Sequence, residues 1–322
     1  MKKLAISFIL ILLSTILFAD EHLVFSFTGA IGRMLGQTSY ELKVPDPVQG
    51  VMSLLEFPLG STIVNLNLDL EKKTNNTTPW TIHTSFKTNI DDPGNKMKDS
   101  DWFLYSGYPP VYFSYTESDS EMRFLQSSIG VKIELLSRRL FDLYATGGYE
   151  YQYIDYDILG YDGWQYADLS PVDGQPELYV TSAPSTLKVL EYHITNHAPT
   201  IGFAFSIDTP YLTVDMAAGY KLVFISDYDD HVLRSKLSTA EGIGHGLLCS
   251  IKGVYKLGHQ LGPFTPSVIL SADFSYVYAD IEQTQEWYGN LDSVPEGTKY
   301  TGISHIINST VFLSTIGFSL SY

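Results

Sequence analysis

The chain has 322 residues and a net charge of −16, which argues against nucleic acid as a partner and favours cationic ones. Only 17% of residues are charged, 44% are hydrophobic and 23 are tyrosine, a balance that fits alternating strands in a membrane. Cys249 is the single cysteine, so an intrachain disulfide is excluded and stability must come from another source, such as a closed ring of strands.

In chain order, the first element is a leader. Met1-Lys2-Lys3 precedes an apolar run from Leu4 to Phe18, followed by Ala19-Asp20. A basic start, a short apolar run and a small residue at its end predict a secretory signal peptide over residues 1–19, with one domain over 20–322. The run is short for a membrane span, and no apolar run long enough for a spanning helix follows.

Beyond the leader, period-two alternation recurs. In Thr62–Glu71, Val64, Leu66 and Leu68 alternate with Asn65, Asn67 and Asp69. Trp80–Thr88, Leu212–Phe224 and Val268–Tyr278 repeat the pattern, and Phe312, Ile316, Phe318 and Tyr322 share one face at the end of the chain. Apolar side chains outward and polar ones inward make a barrel with a wet lumen. A secreted β-sandwich would share the alternation.

The connections alternate in length. Short ones lie near Lys72–Thr78, Leu136–Arg139, Asp208–Tyr211 and Leu257–Pro263. Long ones lie near Leu35–Val51, Ile90–Ser120, Asp155–Lys188, Ser226–Glu241 and Asp280–Gly302. This predicts an all-β fold, a ten-stranded antiparallel transmembrane β-barrel extending above the membrane, with both termini at the short-turn end. The setting is the cell outer membrane, with the long loops outside.

Two long loops carry paired ionisable groups. Asp99 and Asp101 stand at i and i+2, as do Asp229 and His231. On an extended strand such residues share a face, roughly 7 Å apart. Both pairs fall on the outer rim. Together they would activate a water: His231 as general base, Asp229 orienting the imidazole, and Asp99 with Asp101 sharing a proton for the departing amine or the oxyanion. Taken singly, each motif reads as a solvated turn or an acidic rim. An EF-hand is excluded because Phe103 and Leu104 stand at the fifth and sixth positions of that pattern.

The two motifs resemble those of the omptin family of outer-membrane proteases, ten-stranded barrels with the site at the extracellular rim. Asp99, Asp101 and Trp102 match its Asp-x-Asp-Trp. Ser226, Asp227, Asp229, Asp230 and His231 match its Ser-Asp-x-Asp-Glu-His, with Asp at 230. The resemblance implies cleavage of peptide bonds next to basic residues, with Asp99 and Asp101 as the acid couple and Asp229 with His231 as the dyad. It also implies that Asp227 belongs to the pocket for the basic side chain. After Gly32 and Gly36, strict counting puts Tyr40 where the family has a second pocket acid, with Glu41 next to it. Thr116 stands at the position of the family's acid on the leaving side, with Glu117 adjacent. The implied partners are cationic peptides or proteins and outer-membrane lipid. The expected state is a monomer, with lipopolysaccharide as an activator rather than any bound cofactor.

No metal site is expected, since the chain lacks a His-Glu-x-x-His motif. His193 and His197, on a strand, read as lumenal residues, and Cys249 as lipid-facing. Two other functions compete: a non-enzymatic barrel that binds cationic proteins or host surfaces (an adhesin), and a small pore.

Overall fold

The computed structural model describes residues 23–44, 49–72, 78–166, 178–290 and 294–322. The expected leader lies outside the described residues, as do parts of the connections at Lys72–Thr78, Leu35–Val51, Asp155–Lys188 and Asp280–Gly302.

The strands are β1 Leu23–Val44, β2 Gln49–Pro58, β3 Ser61–Lys72, β4 Trp80–Asn89, β5 Met97–Tyr105 and β6 Val111–Ser137. They continue with β7 Asp142–Tyr166, β8 Leu178–Asp208, β9 Leu212–His231, β10 Lys236–Lys256, β11 Thr265–Trp287 and β12 Lys299–Ser321. β2 and β3 are two segments of one wall strand, because β1 pairs with β3 low down and with β2 high up. β4 and β5 are likewise stacked segments, both pairing with β6. The twelve segments therefore make ten ring positions, and β12 closes the ring on β1. Phe25 and Tyr322 exchange backbone hydrogen bonds of 3.0 and 2.8 Å at the seam.

β1 changes partner at Gly36, whose φ of 124° only glycine adopts at low cost. The Leu59 amide reaches the Gly36 carbonyl at 3.1 Å across this break.

In the half near the termini, side chains follow the wet-lumen pattern. Leu66, Phe86, Ile201, Phe203 and Leu247 are exposed on the outer wall. Thr28, Asn65 and Lys221 are buried inside. Lys221–Glu150, Lys132–Asp215 and Lys87–Asp273 pair across the lumen, beside a cavity of about 370 Å³. Cys249 is exposed on the outer wall, as expected.

Towards the other end the pattern inverts. Tyr40, Leu55, Phe57, Tyr156, Tyr192 and Ile307 fill the lumen, each almost wholly buried. Outside, charged residues such as Glu56, Asp155 and Glu191 replace the apolar belt. The barrel thus extends past the apolar belt with an ordinary apolar core inside it.

The long connections are mostly strand. β9 and β10 stay paired up to His231 and Lys236, leaving only the 3₁₀ turn Val232–Arg234 and Ser235. β5 and the start of β6 lie within Ile90–Ser120, and β7 and β8 run on to Tyr166 and back from Leu178. Ladder hydrogen bonds need no apolar face, so the strands continue where the alternation fades.

His193 and His197 are not lumenal. Their neighbours Tyr192, Ile194 and Asn196 point inward, so both histidines face outward. His193 stacks on Tyr228 at 4.4 Å between ring centres.

Candidate active site

The inner face of β9 carries Asp227, Asp229 and His231 in succession, the same-face spacing a strand imposes. Across the lumen, β5 presents Asp99 and Asp101. β5 is held between β2, with Asp101 opposite Ser53, and β6, with Asp99 opposite Thr116. The Ser53 hydroxyl donates to Asp101 Oδ1. The turn after His231 brings Lys236 back beside it, buried and facing the same cleft.

Asp229 is wholly buried, and its Oδ2 is the hub. It accepts a hydrogen bond from the Tyr40 hydroxyl and lies 3.2 Å from His231 Nε2. The His231 contact is close without being a well-aligned hydrogen bond, and Asp229 Oδ1 and Asp99 Oδ1 are buried without a hydrogen-bond partner. Buried acceptors of this kind are costly to leave alone, and they can engage the polar atoms of an incoming peptide.

Electrostatics divide the cluster into acid and base. Burial pushes the Asp99 carboxyl up to about 8, helped by the charges of Asp101 and Asp229 and opposed by Arg234 and Lys236. Burial alone would raise Asp229 too, but the His231 imidazole, Lys236 and the Tyr40 hydroxyl hold it below the usual carboxylate range. His231 is lowered by burial, and further by Lys236 and Arg234, against the pull of Asp229. Burial brings Lys236 down to about 8, aided by Arg234 and opposed by Asp229, Asp99 and Asp101. At neutral pH the cleft therefore holds a protonated Asp99, an ionised Asp229 and a neutral imidazole. Groups pushed apart in this way can act as acid and base at one pH.

The side chains expected at the substrate pocket divide between the two faces of the wall. Asp227 faces inward, but its side chain is fully buried and accepts a 2.6 Å hydrogen bond from Nε2 of His305, which is equally buried. Tyr40, the residue at the second pocket position, is inward and bonded to Asp229, so β1 makes no register slip. Glu41 consequently faces outward, 2.5 Å from Lys43, and takes no part in the cleft. Glu117 also faces outward, where the Tyr115 hydroxyl donates to it at 2.6 Å; Thr116 is the residue that faces Asp99. In both cases one step along a strand reverses the side chain.

Sequence reasoning did not find His305 or Lys236, nor the bond from Tyr40 to Asp229. Parity offered a signal for each, since all three share the inward face of their strands with buried neighbours.

A sequence model of the Omptin family matches residues 22–319. The chain belongs to the omptin family.

No curated protein sequence matches this omptin. Among solved structures it is similar to the outer membrane protease OmpT from Escherichia coli, with a TM-score of 0.73 and 15% identity. That likeness covers 93% of this chain and 97% of OmpT. At that identity it shows the fold alone. The outer membrane protein OprG from Pseudomonas aeruginosa aligns at a TM-score of 0.33 and 8% identity, over 93% and 95% of the two chains. The translocator domain of NalP from Neisseria meningitidis aligns at 0.33 and 9%, over 95% and 91%. This omptin is an outer-membrane barrel of a protease family, and its ionisable cleft lies at the end opposite its termini.

Proposed function

We propose that this omptin is an endopeptidase that hydrolyses peptide bonds at its outer rim with a water activated between Asp229–His231 and Asp99–Asp101. His231 takes a proton from the water, and the resulting hydroxide attacks the peptide carbonyl carbon. Asp229 balances the imidazolium that forms. As the C–N bond breaks, Asp99 gives its proton to the departing amine, with Asp101 beside it to share the next one. The imidazolium proton then returns to the acid couple through solvent. The observation that carries this reading is geometric: Asp229 lies 3.2 Å from His231, with buried, unpartnered carboxylate oxygens on Asp229 and Asp99, and burial lowers the imidazole while raising the Asp99 carboxyl.

The net charge of −16 draws cationic peptides to the rim. Recognition of a basic residue at the bond itself is a separate matter, because Glu41 and Glu117 face away from the cleft. The expected need for lipopolysaccharide is kept as part of the test.

The test is refolded protein in detergent, with and without lipopolysaccharide, given quenched fluorescent peptides that carry varied residues at the central bond. Wild type cuts at least one series, and His231→Ala cuts none. Cleavage that survives His231→Ala removes the proposed base. Peptide binding with no cleavage under either condition favours a binding barrel.

A further inference from the structure

Asp227 stands one same-face step from Asp229, below the reacting groups. A free carboxylate there would hold a cationic side chain of a peptide lying across the rim. This one is not free. Its Oδ2 is bonded to His305, and neither side chain has any exposed surface. The Tyr192 hydroxyl lies beside it without forming an aligned hydrogen bond.

Rings close the space over this pair. Tyr40 sits 4.9 Å from the His305 ring and 5.3 Å from Tyr192, and Phe57 stacks on Tyr192 at 4.4 Å. Tyr40, Phe57 and Tyr192 are all fully buried. A guanidinium could reach Asp227 only by displacing His305 and opening that packing, which holds the lumen shut. The site also has cationic side chains of its own, because Lys236 acts on Asp99 and Asp229, and Arg234 on Asp99. A basic residue at the bond would meet them. Ser53, Ser114, Thr116 and Ser238 stand opposite Asp99, Asp101 and Asp229 on the neighbouring strands, together with the larger Leu55 and Tyr192, and none of the six is acidic.

We propose that His305 serves as a built-in partner for Asp227, so that this protein does not read a basic side chain beside the bond it cuts. The inference rests on the peptidase reading for its substrate but not for its pocket, and the two can be separated.

The experiment has two arms on folded barrel, with folding checked by the gel shift between unheated and boiled samples. The first titrates wild type and His305→Ala with argininamide by calorimetry. The second compares cleavage of two peptides that differ only in Ala or Arg beside the bond. Wild type is expected to show no saturable argininamide binding and no preference for Arg. His305→Ala frees Asp227 and opens space, so argininamide binding emerges and the Arg-to-Ala cleavage ratio rises by about 10-fold or more, the worth of one charge-assisted hydrogen bond. Adding Asp227→Asn abolishes that gain. Saturable argininamide binding by wild type, or preference of wild type for the Arg peptide, overturns the inference. So does a folded His305→Ala that still binds no argininamide. Should wild type cut neither peptide, the peptidase reading fails and the argininamide arm still decides the role of His305. Should His305→Ala not fold, the wild-type arms decide it alone.

Discussion

The two halves of this barrel apply one rule, period-two alternation, with opposite signs. Near the termini the apolar face looks outward: on β8, Ile201 is 69% exposed. Further along the same strand Tyr192 points inward and is 0% exposed. The lower half meets lipid, so its lumen can hold Lys221, Glu150 and Asp215 as mutually paired charges. The upper half meets water on its outside, so its lumen becomes a hydrophobic core. That core presses Asp99, Asp229 and His231 into a low-dielectric cleft and drives their protonation states apart. A lumen that stayed polar throughout would leave all three close to ordinary behaviour.

Changes to the two halves should therefore have different signatures, and the largest belongs to the dyad. Asp229→Asn or His231→Ala should lower peptide cleavage by about 100- to 10,000-fold while leaving the barrel folded, the usual worth of a general base. Steady-state rates together with the heat-shift gel check this. A loss below about 10-fold would remove the dyad from the chemistry.

Next comes the core itself. Phe57→Ala empties a fully buried ring site and should cost about 3–5 kcal/mol of folding stability, read by denaturant unfolding. Its activity should fall too, because Tyr40 and Tyr192 lose the ring they pack on. A mutant as stable as wild type would show that the upper lumen is not a packed core.

Tyr40→Phe is subtler, since it keeps the ring and removes one hydroxyl from Asp229. A hydrogen bond to a buried charge is worth about 1.5–3 kcal/mol, so cleavage should drop by about 10- to 100-fold. Unfolding should change less than for Phe57→Ala.

The pH profile gives a smaller signal of defined shape. His231 works as the neutral base, and its pKa is lowered, so activity should persist below the ordinary imidazole range before falling in acid. Asp99 works as the protonated acid, so activity should fall as pH rises through about 8. An alkaline limb absent from the wild-type profile would rule out Asp99 as the donor.

The smallest effect belongs to the lower half. Thr28 hydrogen-bonds to Ser319 at 3.0 Å in the buried lumen, and Thr28→Ala should cost about 1 kcal/mol of stability with cleavage unchanged. A matching fall in cleavage would mean that the halves are coupled.

The legibility of the sequence follows the same division. Strands in the belt are visible because lipid on one side and paired polar groups on the other keep the alternation clean. In Ser226–Glu241 both faces carry polar residues, so β9 and β10 read as a loop although their ladder continues to His231. The i, i+2 spacing of Asp99 with Asp101 and of Asp229 with His231 is legible because it is local. The contacts of Tyr40 with Asp229 and of His305 with Asp227 join residues far apart in the chain, and the ring's cross-section brings them together. Glu41 and Glu117 show how little tolerance a strand leaves: each stands one residue from an inward position, and that places its carboxylate outside.

The seam where Phe25 meets Tyr322 bears on when the cleft can exist. Asp99 sits on the third ring position and Asp229 on the seventh, so curvature alone brings them face to face. Curvature is fixed only when β12 joins β1. An open sheet has the residues without the enclosure. Closing the wall is thus what turns two distant ladders into the two sides of one cleft.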